Sequence, residues 1–152
     1  PAPLDQVDGG DDGATGYLDT NYLGKAEYAL EALRTRDFVY LHVEAPDEAA
    51  HGGKLEEKIK AIEDFDKLVV GTVLEGLSAL GDHRVMVLPD HPTPVRKMTH
   101  SRDAVPFILW GSAGEYPTTV GVTAYTEKEA AATGIVVDPG YRLMERLVRG
   151  MV

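Results

Sequence analysis

A long amphipathic pattern between two short apolar stretches constrains the fold of this chain more than any other feature. Residues 54–80 predict one helix with a single apolar face. The apolar positions recur at steps of three or four residues, at Leu55, Ile59, Ile62, Phe65, Val69, Val73 and Leu77. The flanking stretches, 38–43 (FVYLHV) and 84–88 (RVMVL), are rich in β-branched and aromatic residues and predict buried strands. A strand, a long helix and a second strand indicate an α/β fold with a mostly parallel sheet flanked by helices.

The remaining segments predict three further helices and one further strand. Residues 21–35 predict a helix capped by Asn21, residues 105–110 a further strand, and residues 141–149 a terminal helix. Thr126 and Glu129 have the spacing of a capping box at the start of a short helix.

Residues 1–14 hold two Pro, three Gly and four Asp, and predict a flexible lead-in to a single domain over 15–152.

Composition excludes several classes of protein. The chain has a net charge of −10 and no cysteine. The acidic balance argues against nucleic acid as a partner. No window is apolar enough for a membrane span and no signal peptide is visible, so a cytoplasmic location is expected. Without thiolates, any metal must be held by histidine and carboxylate, and bound cations would let an acidic chain accept a small phosphorylated substrate.

Acidic and imidazole side chains follow two of the predicted strands. Asp47 and His51 come after the first, Asp90 and His91 after the second, and His100 lies in the loop that follows. Ligands bind beyond the carboxyl ends of parallel strands, so these residues are candidate metal ligands. Asp47 and His51 are four residues apart, which is one helical turn if the long helix begins early, so both could face one ion. The adjacent Asp90 and His91 are expected to diverge in an extended loop. Such a set suits Mn²⁺, Zn²⁺, Mg²⁺ or Fe²⁺, although each pair alone is more typical of a cap or a surface contact than of a metal site.

Three basic residues lie in or near the same loop. Arg96, Lys97 and Arg102 could bind a substrate phosphate, or they could be charges that keep the loop solvated. The sequence favours neither interpretation.

Residues 13–111 resemble a known enzyme family. The similarity lies in GATGYLDTNYLGKAEYALEAL, DFVYLHVEAPDEAAHGGKLEEKIKAIEDFDKLVVG and RVMVLPDHPTPVRKMTHSRDAVPFILWG. These segments resemble the cofactor-independent phosphoglycerate mutases of archaeal type, in the alkaline phosphatase superfamily. The ordered combination of Asp-x3-His, Asp-His and Thr-His is the specific part of the resemblance.

The resemblance implies two divalent ions, most often manganese, with zinc, magnesium or cobalt as alternatives. Asp47, His51 and His100 would hold one ion. Asp90 and His91 would hold the other, together with an aspartate and a nucleophilic serine from the N-terminal part of the family's chain. In the family, that serine takes the phosphoryl group of phosphoglycerate and returns it to the other hydroxyl of glycerate, a step of glycolysis and gluconeogenesis.

The chain departs from the family pattern in length. Residues 15–152 are therefore expected to be the C-terminal portion of the metal-binding domain, with the missing N-terminal part as partner and no activity alone. Two alternatives remain open. One is a related homoserine kinase or phosphatase of the same superfamily, and the other is a non-catalytic α/β interaction domain.

Overall fold

The computed structural model describes residues 17–119 and 121–150. The chain divides into two units. The first contains the described residues up to Gly81 together with Thr93–His100, and the second contains Asp82–Pro92 and the described residues from Ser101 onward. The predicted lead-in, residues 1–14, lies outside the described residues, and a single domain over 15–152 stays a prediction.

The first unit is helical. Its elements are α1 (Tyr22–Leu33), α2 (Ala45–His51), α3 (Leu55–Asp64), a π-helical segment (Phe65–Val70) and α4 (Gly71–Leu77). Helix α1 confirms the predicted helix and its cap, since the Asn21 side chain accepts a hydrogen bond from Gly24 N at 2.8 Å. Helix α1 packs against the π-helical segment and α4, while α2 packs against α3.

The long amphipathic pattern forms helix throughout, but its apolar residues do not form one buried face. Leu55, Ile59 and Ile62 are 55%, 43% and 49% exposed, whereas Val69 and Leu77 are buried. A π-helical segment lies between the exposed and the buried part of this pattern, and its wider turn changes the angular register between α3 and α4. Apolar residues that recur at steps of three or four positions therefore do not stay on one side of the helix across this segment.

Residues 38–43 keep the alternation of a strand without strand pairing in the described structure. Leu41 and Val43 pack against the core of the first unit, while Phe38 and Tyr40 on the other side are 44% and 70% exposed. The predicted buried strand is therefore wrong for this structure. The sequence gives the period of two correctly, but a strand also needs a neighbouring strand to bond its backbone groups.

Small residues dominate the core of the first unit. The buried cluster contains Tyr22, Ala26, Ala45, Ala61 and Val69. Tyr22 is 4% exposed, and its hydroxyl has no hydrogen-bond partner among the described residues. Burial raises the pKa of the Tyr22 hydroxyl above its ordinary value, with a further contribution from Asp64. This hydroxyl is therefore a desolvated group that residues 17–119 and 121–150 leave without a hydrogen bond.

Replacing Tyr22 with phenylalanine should raise the free energy of unfolding by about 1 kcal/mol, because it removes an unsatisfied buried hydroxyl and keeps the ring. Urea denaturation followed by circular dichroism measures the change. Tyr28→Phe is the matched control, since Tyr28 lies on the same helix with 47% exposure and should shift stability by less than about 0.5 kcal/mol. A loss of stability in Tyr22→Phe would contradict the expectation.

The second unit holds a two-stranded sheet. Strand β1 (Arg84–Val87) pairs antiparallel with β2 (Ile108–Gly111), with Val85 opposite Trp110. Helices α5 (Glu127–Ala132) and α6 (Arg142–Arg149) follow. The α/β class is consistent with this structure, but a parallel sheet is not confirmed, because the described strand pair is antiparallel. The segment joining β1 and β2 contains no helix, and a parallel crossover usually requires one.

Arg84 joins β1 to Glu115 and to the end of α6 through its side chain. Its side chain binds Glu115 at 2.6 Å and donates to the carbonyls of Leu147 and Val148 at 3.2 and 2.7 Å, which satisfies the end of α6. The hydrogen bond from Arg84 holds the pKa of the Glu115 carboxyl below its ordinary value.

The polar start of α5 partly follows the predicted capping box. The Thr126 side chain accepts from Glu129 N at 3.2 Å, as expected. The Glu129 carboxylate instead accepts from Thr123 N and Ala124 N, and these bonds lower its pKa.

Among the helices that the structure describes, none has the length and apolar character needed to cross a membrane.

Candidate metal centre

Helix α2 presents two of the candidate ligands on one face. Pro46 lies in its first turn and fixes a helical φ, and Asp47 and Glu48 are acidic residues in that turn, where the helix dipole favours them. His51 lies in the last turn, where the dipole favours a cation. Asp47 and His51 are four residues apart, and the Nε2 atom of His51 is 3.3 Å from Oδ2 of Asp47. The two residues share a helical face as predicted, but on the separate helix α2 and not on an early start of the long helix.

His100 joins this pair within the first unit. Its Nε2 atom is 3.0 Å from Nε2 of His51 and 3.6 Å from Oδ1 of Asp47. The two imidazole rings are tilted, with centroids 4.9 Å apart. The side chains of Asp47, His51 and His100 are 31%, 36% and 49% exposed, so solvent reaches all three. The structure therefore places one carboxylate and two imidazole nitrogens together; their role as metal ligands stays a prediction.

The other nitrogen of His51 is held by the backbone. Its Nδ1 atom is 3.0 Å from the carbonyl oxygen of Met98. A carbonyl can only accept, so Nδ1 carries the proton and, in the neutral ring, Nε2 presents a lone pair. Met98 has a φ of +50°, in the left-handed region that a residue with a side chain rarely adopts. This backbone conformation directs the carbonyl that orients His51.

Gly53 lies beside Met98 and also has a positive φ, of +68°. A Cβ at this position would lie 3.1 Å from the Met98 sulfur. Both the conformation and the close approach therefore favour glycine after α2.

The donor geometry fits a small divalent cation. Donors about 2.1 Å from a metal are separated by about 3.0 Å in octahedral geometry and about 3.4 Å in tetrahedral geometry. His51 Nε2 lies 3.0 Å from His100 Nε2 and 3.3 Å from Oδ2 of Asp47, within this range, whereas the separation of 3.6 Å joins His100 Nε2 to the other carboxylate oxygen, Oδ1. One carboxylate and two neutral imidazoles also form the kind of donor set that Mn²⁺ and Zn²⁺ accept.

Thr93 is a residue of this site that the sequence did not reveal. Its side chain donates a hydrogen bond to Oδ1 of Asp47, and its carbonyl accepts from Lys58 Nζ at 2.7 Å. Thr93 is only 4% exposed. The available sequence signal was a hydroxyl residue between two prolines, close to candidate ligands.

Asp90 and His91 lie in the second unit, after β1. His91 Nε2 is 3.4 Å from Oδ2 of Asp90, and the backbone N–H of His91 donates to Oδ1 of the same carboxylate at 3.0 Å. The two side chains therefore face each other, and the predicted divergence of the pair is wrong. The backbone N–H of His91 holds the Asp90 carboxylate on the side where the His91 ring lies.

The three basic candidates are exposed in the structure. Arg96 and Lys97 lie in a turn of the first unit, and Arg102 lies in the second. Their assignment to a phosphate stays a prediction.

Residues 10–135 match the family described as the Metalloenzyme superfamily. The chain is 55% identical, over 90% of its length, to the "Probable 2,3-bisphosphoglycerate-independent phosphoglycerate mutase" of Geobacter sulfurreducens, and covers 34% of that protein. It is 50% identical, over 91% of its length, to the 2,3-bisphosphoglycerate-independent phosphoglycerate mutase of Methanothrix thermoacetophila, and covers 35% of it. The chain thus spans about a third of the length of these curated relatives.

A solved structure shows the same fold. The PH0037 protein from Pyrococcus horikoshii matches with a TM-score of 0.69 and 33% identity. The match covers 80% of this chain and 35% of that chain.

Proposed function

Because the chain belongs to the Metalloenzyme superfamily, we propose that it is part of a 2,3-bisphosphoglycerate-independent phosphoglycerate mutase. Such an enzyme interconverts 2- and 3-phosphoglycerate in glycolysis and gluconeogenesis. The convergence of Asp47, His51 and His100 carries the proposal, because it brings together, within one unit of the fold, three side chains of the types that bind divalent metals. The names of the relatives from Geobacter and Methanothrix support the choice of substrate.

The proposed ion site consists of the Asp47 carboxylate and the Nε2 atoms of His51 and His100. Manganese is the proposed metal, and zinc, magnesium or cobalt would use the same donors. A divalent ion there would neutralise phosphoryl oxygens and activate a hydroxyl nucleophile. Asp47 contributes negative charge to offset the ion, and the Met98 carbonyl keeps the lone pair of His51 directed toward it.

A second ion is proposed at Asp90 and His91. Two donors do not complete the coordination of a catalytic ion. The remaining donors, including the serine nucleophile, are proposed to come from the part of the enzyme that corresponds to the other two thirds of the relatives. This chain would then be the C-terminal portion of the metal-binding domain, inactive without its partner.

Substrate binding is proposed to use the exposed basic residues. Arg96, Lys97 and Arg102 would offset the phosphate charge of a small substrate that the net charge of −10 otherwise repels. A cytoplasmic location is also proposed, since phosphoglycerate is an intermediate of central metabolism.

A chimera tests this function. In it, residues 10–135 replace the matching region of the Geobacter relative, which supplies the rest of the chain. We expect the chimera to convert 3-phosphoglycerate to 2-phosphoglycerate in a Mn²⁺-dependent assay coupled to enolase. Asp47→Asn should remove the activity, because it weakens a proposed ligand.

Lys60→Met is the matched control for the chimera, since Lys60 makes an exposed ion pair with Asp64 and should leave activity unchanged. A folded chimera that phosphorylates homoserine instead, or hydrolyses phosphate esters without mutase activity, would contradict the proposed substrate. Equal activity in Asp47→Asn and the parent would contradict the proposed site.

A further inference from the structure

Thr93 is a buried hydroxyl residue in contact with a proposed ligand. It is 4% exposed, and its hydroxyl donates to Oδ1 of Asp47. The opposite oxygen of the same carboxylate, Oδ2, is the one near His51 Nε2, at 3.3 Å. The hydroxyl of Thr93 thus bonds Oδ1, the oxygen that lies 3.6 Å from His100 Nε2, while Oδ2 faces His51.

Thr93 is itself held at its backbone. Lys58 of α3 donates from Nζ to the Thr93 carbonyl at 2.7 Å, in a partly buried contact. Asp47 belongs to α2, which packs against α3. The chain of contacts from Lys58 to Thr93 to Asp47 therefore connects the site to the helix beneath it.

The orientation of a carboxylate needs such a contact. The terminal torsion of aspartate is broad and roughly two-fold, so an unrestrained carboxylate rotates. A ligand that must stop rotating loses entropy when a metal binds, whereas a hydrogen bond that fixes it beforehand removes part of this loss.

We propose that Thr93 is a positioning residue for the metal centre: its hydroxyl fixes the Asp47 carboxylate with Oδ2 toward His51, and Lys58 fixes Thr93. This inference rests on the proposed ion site at Asp47, His51 and His100. It goes beyond that site because neither Thr93 nor Lys58 is a ligand. A purely structural Thr93 would stabilise the fold and leave metal affinity unchanged.

The test is a calorimetric Mn²⁺ titration of the whole chain and its variants, with metal-free thermal unfolding measured in parallel. Thr93→Val keeps the shape and removes the hydroxyl, and should weaken Mn²⁺ binding about 10- to 100-fold. Thr93→Ser restores a hydroxyl and should return the affinity to within about 3-fold of the parent. Lys58→Met should weaken binding by about 3- to 10-fold, because Thr93 keeps its hydroxyl but loses an anchor. Lys60→Met, on the same helix, should have no effect.

The outcomes separate the two proposals. A parent chain that binds Mn²⁺ while Thr93→Val binds equally well overturns the positioning role and leaves the metal site intact. A parent chain that shows no Mn²⁺ binding overturns the metal site in this chain, and the role of Thr93 with it. If Thr93→Val fails to fold, the Mn²⁺ affinities of Lys58→Met and Lys60→Met are compared instead. Equal affinities in these two variants would overturn the positioning role of Thr93.

Discussion

Replacing His51 with alanine should weaken Mn²⁺ binding by the chain at least about 100-fold, since loss of a ligand exceeds the 10- to 100-fold effect of residues that only hold ligands. His51 is the central donor: its Nε2 lies 3.0 Å from His100 Nε2 and 3.3 Å from Oδ2 of Asp47. Its removal leaves one imidazole and one carboxylate. Isothermal titration calorimetry measures the affinity, and Mn²⁺ electron paramagnetic resonance gives an independent value.

His42→Ala is the matched control for this substitution. His42 is an exposed histidine of the same unit that contacts Tyr40 and Glu44, and it is not a proposed ligand. Its replacement should change Mn²⁺ affinity by less than about 2-fold. Equal affinities in the His51 and His42 variants would show that binding occurs elsewhere.

The largest effect on stability is expected from Leu77→Ala, which should lower the free energy of unfolding by about 2–5 kcal/mol. Leu77 is 5% exposed at the end of α4, which packs against α1. Truncation removes buried apolar surface and leaves a cavity in the unit that carries the candidate site. Because domains have only about 5–15 kcal/mol of stability in total, this is a large fraction. Urea denaturation followed by circular dichroism measures the loss.

Leu74→Ala provides the comparison for Leu77→Ala. Leu74 lies on the same helix with 42% exposure, so its truncation should cost less than about 1 kcal/mol. Similar losses in the two variants would mean that burial does not distinguish these leucines, and the description of the core around α4 would be wrong.

The local geometry of the candidate site could be predicted from the sequence where one helix decides it. The separation of four residues between Asp47 and His51 is sufficient to place both on one face of α2. The approach of His100 could be expected only from the family resemblance, because it depends on contacts across more than forty positions of sequence. Thr93 could not be predicted from the sequence, because its hydroxyl could equally have bonded to backbone groups of its own loop.

The errors in the predicted fold have physical causes outside local sequence. Residues 38–43 have a strand pattern, but pairing requires a neighbour, and the chain spans about a third of its relatives' length. Exposed Phe38 and Tyr40 mark the side of that segment away from the core. The exposed Leu55 and Ile59 lie before the π-helical segment that changes the register of the helix, and no spacing rule predicts where such a segment begins.

The central claim is that Asp47, His51 and His100 form one divalent-ion site, and anomalous diffraction at the manganese edge from crystals grown with Mn²⁺ tests it most directly. The account predicts a peak about 2.1 Å from the Nε2 atoms of His51 and His100 and from a carboxylate oxygen of Asp47. A peak bound to none of these three residues, or no peak at saturating Mn²⁺, would contradict it.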